Sequence, residues 1–212
     1  MNRYTNNLQF DDVKHQYKVN GKVIPSVSEI IGPITYSNFR VQQNVVDQAA
    51  HRGTMAHSTT ALYDMGALED ESSLSPDEAF YLKAWRDFCH DYKPDWQYIE
   101  LPLACRTFAG TIDRIGIIDG TITIVDIKTT SSMDRVHKVA LACQIAGYWD
   151  LCQLNEIDAK YCNSLGVQLK KDGSYAVYDT MTIREKYEFD PVEWFHTLQN
   201  LNILTRGYRS VE

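Results

Sequence analysis

Three charged residues stand where a chain usually places aliphatic ones. In residues 110–130, GTIDRIGIIDGTITIVDIKTT, two runs rich in β-branched residues flank Asp119-Gly120, and inside them lie Asp113, Asp126 and Lys128. An Asp-Gly pair between such runs signals a two-residue hairpin turn. That turn sets Ile118 opposite Thr121, and counting outward places Asp113 directly opposite Asp126. Directly opposed residues share one face, with Cβ atoms about 4.5–5.5 Å apart. Lys128, two residues beyond Asp126, points to the same face. The other positions on it, Ile115, Ile117, Ile122 and Ile124, are apolar, so the acids are at least half buried.

Opposed carboxylates repel, and more strongly as water is excluded. A cation between them removes the conflict. A divalent ion supplies the charge, and Lys128 adds to it. A hard ion such as Mg²⁺ prefers oxygen ligands and keeps several waters, so two carboxylates and a backbone carbonyl suffice. The plainer alternative is a structural Asp126–Lys128 ion pair, with Asp113 bonded to Arg114 or to backbone. Glu100 joins the same row as an auxiliary acid if Arg106-Thr107 is also a two-residue turn. A slip of one residue would leave it an exposed edge glutamate. Arg114 points to the opposite face from Asp113, which suits a structural role.

The elements that must position these residues follow from pattern and punctuation. Residues 9–24 read as a hairpin turning at Asn20-Gly21. Ser26-Val27-Ser28-Glu29 is a capping box opening a short helix, EIIG. A longer helix covers about residues 41–65 and ends at Gly66. Ser75-Pro76-Asp77-Glu78 starts a helix that runs to about Tyr92. Strands are expected over 97–104, 109–118 and 121–129, a helix over 135–154, and strands over about 160–169 and 174–181. Asp190-Pro191-Val192-Glu193 caps a final helix. This order predicts an α/β fold with a mixed β-sheet flanked by helices and an N-terminal β-hairpin.

On those elements the residues resemble a known family. Asp113 followed by Asp126-Ile127-Lys128 resembles the signature of the PD-(D/E)XK nucleases, whose fold is the restriction-endonuclease-like core. Gln144-Ile145-Ala146-Gly147-Tyr148 resembles the Q-x-x-x-Y motif of the RecB-like exonuclease branch, and Arg52-Gly53-Thr54-Met55-Ala56-His57 its R-G-x-x-x-H helix. The opening hairpin with Pro25-Ser26-Val27 is similar to phage-type members. Isoleucine, not the common proline, precedes Asp113. The cysteine pattern differs from the branch members that carry an iron–sulfur cluster.

The resemblance implies one nuclease domain over 1–212, with residues 1–35 as hairpin and short helix and 36–212 as nuclease core. It implies catalytic roles for Asp113, Asp126 and Lys128, and Mg²⁺ or Mn²⁺ held by His57, Asp113, Asp126 and the Ile127 carbonyl. Lys128 would position the attacking water and offset charge on the phosphate. Gln144 would orient Lys128 or a phosphate, and Tyr148 would buttress the site or stack on a base; they lie on one helical face. Without the resemblance, His57 reads as a solvent-facing helix residue and Tyr148 as core. Arg135, His137 and Lys138 form either a phosphate-contacting patch or a solvated helix end.

Hydrolysis of DNA by in-line attack of water is the expected reaction, most directly by an exonuclease of recombination or repair. The alternatives are an endonuclease on the same core and a silent nucleic-acid-binding protein. The partners implied are DNA and a single-strand annealing or recombination protein.

Composition fits this reading without selecting it. Of the 212 residues 44% are hydrophobic and 23% charged, which is ordinary for a globular protein. The net charge of −7 argues against a nonspecific polyanion binder, but carboxylates that hold a cation count as negative until it arrives. No apolar run is long enough to span a membrane, and the polar start lacks a signal-peptide core. The five cysteines, with no C-x-x-C spacing, read as reduced core thiols. A cytoplasmic protein of a bacterium or phage-infected host is expected. No Walker loop, G-x-S-x-G or H-E-x-x-H is present, which removes common rival enzyme classes.

Overall fold

In the computed structural model, which describes residues 2–11, 16–36, 43–159 and 162–206, a one-turn helix α1 (Arg3–Asn6) leads into a small antiparallel sheet. Its strands are β1 (Leu8–Asp11), β2 (Gln16–Val19) and β3 (Lys22–Ile24). Helices α2 (Val27–Tyr36), α3 (Gln43–Asp64) and α4 (Pro76–Tyr92) precede β4 (Asp95–Ala104), β5 (Ala109–Ile118) and β6 (Thr121–Lys128). Helix α5 (Arg135–Leu154), strands β7 (Asn163–Leu169) and β8 (Tyr175–Asp179), and helices α6 (Thr180–Tyr187) and α7 (Pro191–Arg206) complete the order. Residues 12–15 of the first expected strand, His15 among them, lie outside the described residues. So do 41–42 and 160–161 at the starts of two expected elements.

The main sheet runs β4-β5-β6-β7-β8 and is mixed: β6 and β7 are parallel, joined through α5, and the other pairs are antiparallel. Asp119 and Gly120 both take left-handed backbone angles, φ 48° and 74°, the two-residue turn whose twist suits the strands it joins. The ladder then runs from Ile118↔Thr121 to Arg114↔Val125, the expected register. On the other side β5 pairs with β4 from Ala104↔Ala109 to Ile99↔Arg114, the register of a turn at Arg106-Thr107.

The sheet is covered on both faces, so β6 is buried from Thr123 to Ile127. Helices α2, α5 and α7 bury Ile115, Ile124, Leu141, Ile145, Leu151 and Phe195 on one face. On the other, Tyr81, Trp85 and Phe88 of α4 pack on Val125, Ile127 and Val167. Strand alternation therefore turns Asp126, like Ile124, toward α5. Gly166 lets α5 cross β7 closely, since a Cβ there would lie 2.2 Å from Leu141 Cδ2. Any side chain at 166 must push aside Leu141, which packs α5 on β7.

Several elements differ from expectation for identifiable reasons. The Asn20-Gly21 hairpin is present, and β1 adds a third strand to it, paired from Leu8↔Val19 to Asp11↔Gln16. Helix α2 begins at its capping box, with Ser26 Oγ accepting from Glu29 N at 3.0 Å, but continues past Pro33 to Tyr36. Proline forfeits one backbone bond; the burial of Ile30 and Ile31 holds the helix through it. The last expected strand stops at Asp179, whose side chain accepts from Thr182 N at 2.9 Å and caps α6. Alternating YAVYDTMT hides that cap.

Tyr17 of β2 bonds Thr111 of β5 through their hydroxyls at 2.8 Å, and Ala109 N donates to Pro25 O at 3.0 Å. These bonds tie the small sheet to the hairpin strand that carries Asp113. The free cysteines are buried or half-buried, and burial pushes the Cys89, Cys143 and Cys152 thiols up to about 12, so they are poor nucleophiles.

Candidate active site

The paired ladder between β5 and β6 reaches Arg114↔Val125, and at the next position a side chain takes over. Asp113 Oδ2 accepts the Ile127 N–H at 2.6 Å. Asp113 and Asp126 are both buried, 5% and 1% exposed, although each is an acid. Lys128 Nζ lies 2.7 Å from Asp126 Oδ2 and donates to Gln144 Oε1 at 2.8 Å. Gln144 in turn donates from Nε2 to the Tyr148 hydroxyl at 2.8 Å. Gly110 makes room for that tyrosine: a Cβ there would lie 3.0 Å from Tyr148 Cε1. Tyr148 is buried, a buttress to Gln144 with no free ring face.

An ion pair between Asp126 and Lys128 and a backbone bond to Asp113 are what a merely structural hairpin would contain. What such a hairpin leaves unexplained is the convergence on Asp113 from two further elements. His57 Nδ1, from α3, lies 3.3 Å from Asp113 Oδ1 and 3.7 Å from Glu100 Oε1. One ligand atom each from His57, Glu100 and Asp113 fall within 4.8 Å of one another. Glu100 sits in mid-strand with a left-handed backbone, φ 49°. For a non-glycine residue that conformation costs about 1–3 kcal/mol, and it persists only where surroundings impose it.

The electrostatics show a site short of positive charge. Burial pushes the Asp126 carboxyl up to about 6, with Lys128 opposing and Asp113 adding to the rise. Asp126 Oδ2 is buried without an aligned hydrogen-bond donor. Burial also acts to raise Asp113, but His57, Lys128 and the Ile127 N–H together hold it below the usual carboxylate range. Burial would lower His57, yet Asp113 and Glu100 raise it to about 10. The protonated imidazole thus offsets the charge of the two carboxylates it faces. One imidazole and two carboxylates form a donor set that suits Mn²⁺ and accommodates Mg²⁺, so these residues fit a hard divalent ion.

The structure therefore brings together His57, Asp113, Asp126, Lys128, Gln144 and Tyr148, with Ile127 entering through its N–H. Glu100 joins them, while Asp126 stands with Lys128 rather than in the close trio. Arg135 and Lys138 are engaged otherwise: their cationic groups lie over the Tyr187 and Tyr178 rings at 5.2 Å and 5.0 Å, and His137 Nδ1 contacts the helix cap Asp134 at 2.9 Å. Sequence reasoning missed Thr60 and Asp64, which bond Arg114 behind the site. Their signal was the i, i+3, i+7 spacing from His57, which places all three on one face of α3.

Among curated proteins, none matches the chain. The family model of the PD-(D/E)XK nuclease superfamily matches residues 39–205, a span that includes His57, Glu100, Asp113, Asp126, Lys128, Gln144 and Tyr148. The match starts after the N-terminal sheet and takes in the whole main sheet. With its mixed sheet, its acid–acid–lysine hairpin and this match over most of its length, the chain belongs to the PD-(D/E)XK nuclease superfamily.

Proposed function

We propose that the protein is a Mg²⁺- or Mn²⁺-dependent deoxyribonuclease working as one nuclease unit. Its most fitting role is that of an exonuclease in recombination or repair, in a bacterium or a phage-infected host. The observation that carries the nuclease reading is the convergence of His57, Glu100 and Asp113 beside the Lys128–Gln144 pair. The exonuclease reading rests on the resemblance of residues 52–57 and 144–148 to the RecB-like branch. A cytoplasmic location and a single-strand annealing or recombination protein as partner belong to the same proposal. Among the described residues no helix is long and apolar enough to cross a membrane.

His57, Glu100 and Asp113 would hold the ion, with Asp126 closing the site from β6. When bound, the ion supplies positive charge at the scissile phosphate and makes adjacent water more acidic. His57 must give up its proton to act as a ligand. Lys128, fixed between Asp126 and Gln144, places an ammonium where it can orient water and offset charge developing on the phosphate. Tyr148 and Gln144 set the lysine's direction.

End-labelled linear DNA and a covalently closed circle of the same sequence, each incubated with Mg²⁺ or Mn²⁺, test this reading. Degradation of the linear DNA from its ends with the circle left intact is expected. Linearisation of the circle would make the enzyme an endonuclease, and failure to cut either DNA would leave a nucleic-acid-binding protein of this fold.

A further inference from the structure

Arg114 lies directly behind the site and is fully buried, with 0% side-chain exposure. Its Nε donates to Asp64 Oδ2 at 2.6 Å, and Trp85 fixes the same carboxylate from its ring nitrogen at 3.0 Å while lying under the guanidinium at 5.4 Å. Asp64 already supplies the counter-charge a buried arginine needs. The remaining donors go elsewhere. Nη1 donates to Glu100 Oε1 at 3.0 Å and to the Asp113 carbonyl at 2.6 Å. Nη2 donates to Thr60 Oγ1 at 3.2 Å, and that hydroxyl donates to the His57 carbonyl at 3.1 Å.

We propose that Arg114 is the positioning residue of the ion site, a single buried anchor that sets His57, Glu100 and Asp113 in mutual reach. This rests on the ion-site reading given above. A planar guanidinium offers several donors in a fixed fork, so it can hold three elements at set angles where an ammonium cannot. The Glu100 backbone supports the assignment. A glutamate on an ordinary strand has no reason to adopt φ 49°, and the Nη1 bond gives it one. Trp85 and Asp64 lock the guanidinium itself, so the anchor rests on α3 and α4 while serving β4 and β5.

Calorimetric titration of Mn²⁺ into the purified protein tests this without recourse to activity. The variants are Asp113→Asn, Arg114→Lys, Glu100→Gln, and the Arg114→Lys/Glu100→Gln pair. Supporting partners of metal ligands typically contribute about 10–100-fold in metal affinity. Arg114→Lys is expected to weaken Mn²⁺ binding in that range, with cleavage restored at high Mn²⁺. The double variant is expected to lose less than the sum of the single losses, since both act through one carboxylate. Wild-type affinity in folded Arg114→Lys, or strict additivity in the pair, would overturn the inference alone. If wild type and Asp113→Asn bind Mn²⁺ equally, or wild type does not bind it, the ion-site reading falls as well. Should Arg114→Lys not fold, Thr60→Val carries the test, since it removes the link from Nη2 to the His57 carbonyl while leaving Arg114, Asp64 and every proposed ligand in place. Weaker Mn²⁺ binding in folded Thr60→Val supports the shared anchor, and unchanged binding overturns it.

Discussion

Asp113 and Arg114 are neighbours on one strand, yet they face opposite layers of the molecule under opposite conditions. On the α4 side the Arg114 guanidinium is matched: Asp64 balances its charge, and Thr60, Glu100 and a backbone carbonyl accept its other donors. On the α5 side Asp113 and Asp126 converge with Lys128 as the permanent cation beside Asp126, whose Oδ2 lacks an aligned donor, while Glu100 is shared between the two regions, accepting from Arg114 and facing His57. Both regions are buried charge networks. The first is closed and stabilises the fold; the second is less fully matched, which is why the proposed function assigns it the metal ion and the phosphate. A buried charge cluster alone is thus no sign of chemistry, whereas an unbalanced one beside a balanced one is.

The largest expected effects separate the two regions. Asp126→Asn removes a carboxylate that burial disfavours. It should abolish cleavage, by about 10³-fold or more for loss of metal-centred catalysis, yet leave the fold at least as stable at pH 8. Thermal unfolding measured beside nuclease activity checks this, and a clearly lower Tm would blur the contrast. Asp64→Ala does the reverse. It strands the Arg114 charge and should destabilise the protein by about 3–5 kcal/mol, read as a fall in the urea midpoint.

pH should act on the two regions unequally as well. His57 is raised from 6.5 to about 10, so the stability it gives the metal-free protein is complete below 6.5 and is lost as pH rises through about 10. Asp126 is raised from 3.8 to about 6, so its neutral form favours folding at acid pH and that contribution is lost as pH rises through about 6. Both signs agree: without metal the site is most comfortable in acid. Metal binding needs the deprotonated groups, so Mn²⁺ affinity should climb with pH, and the Tm shift at fixed Mn²⁺ should be larger at pH 8.5 than at pH 6. A Tm shift that shrinks with pH would remove His57 from the ligand set. The smallest effect belongs to Gln144→Leu. It frees Lys128 from its acceptor and should lower kcat by about tenfold, a rise of about 1.4 kcal/mol in the barrier, with little change in Mn²⁺ affinity.

Much of the open region could be read from the sequence because local rules fix it. Asp119-Gly120 sets the register, the register opposes Asp113 to Asp126, and period two brings Lys128 to the same face. The four-residue spacing of Gln144 and Tyr148 gave one helical face, and the structure turns that face to Lys128. The closed region was hidden because its bonds join residues about fifty positions apart, Asp64 and Thr60 to Arg114, with no spacing rule between them. Arg114 reads from sequence only as pointing away from Asp113; its partners come from how α3 and α4 pack. The left-handed backbone at Glu100 left no trace either, since neither Gly nor Asn marks it. Helix α6 was concealed by an alternating pattern that passes straight through its cap at Asp179.

The central claim is that the open region is an ion site built on Asp113. Crystals equilibrated with Mn²⁺ and measured for anomalous scattering test it most directly. The expected result is a peak bonded to His57 Nδ1, Glu100 and Asp113, absent in Asp113→Asn crystals. No peak at saturating Mn²⁺, or one whose ligands exclude Asp113, would contradict it.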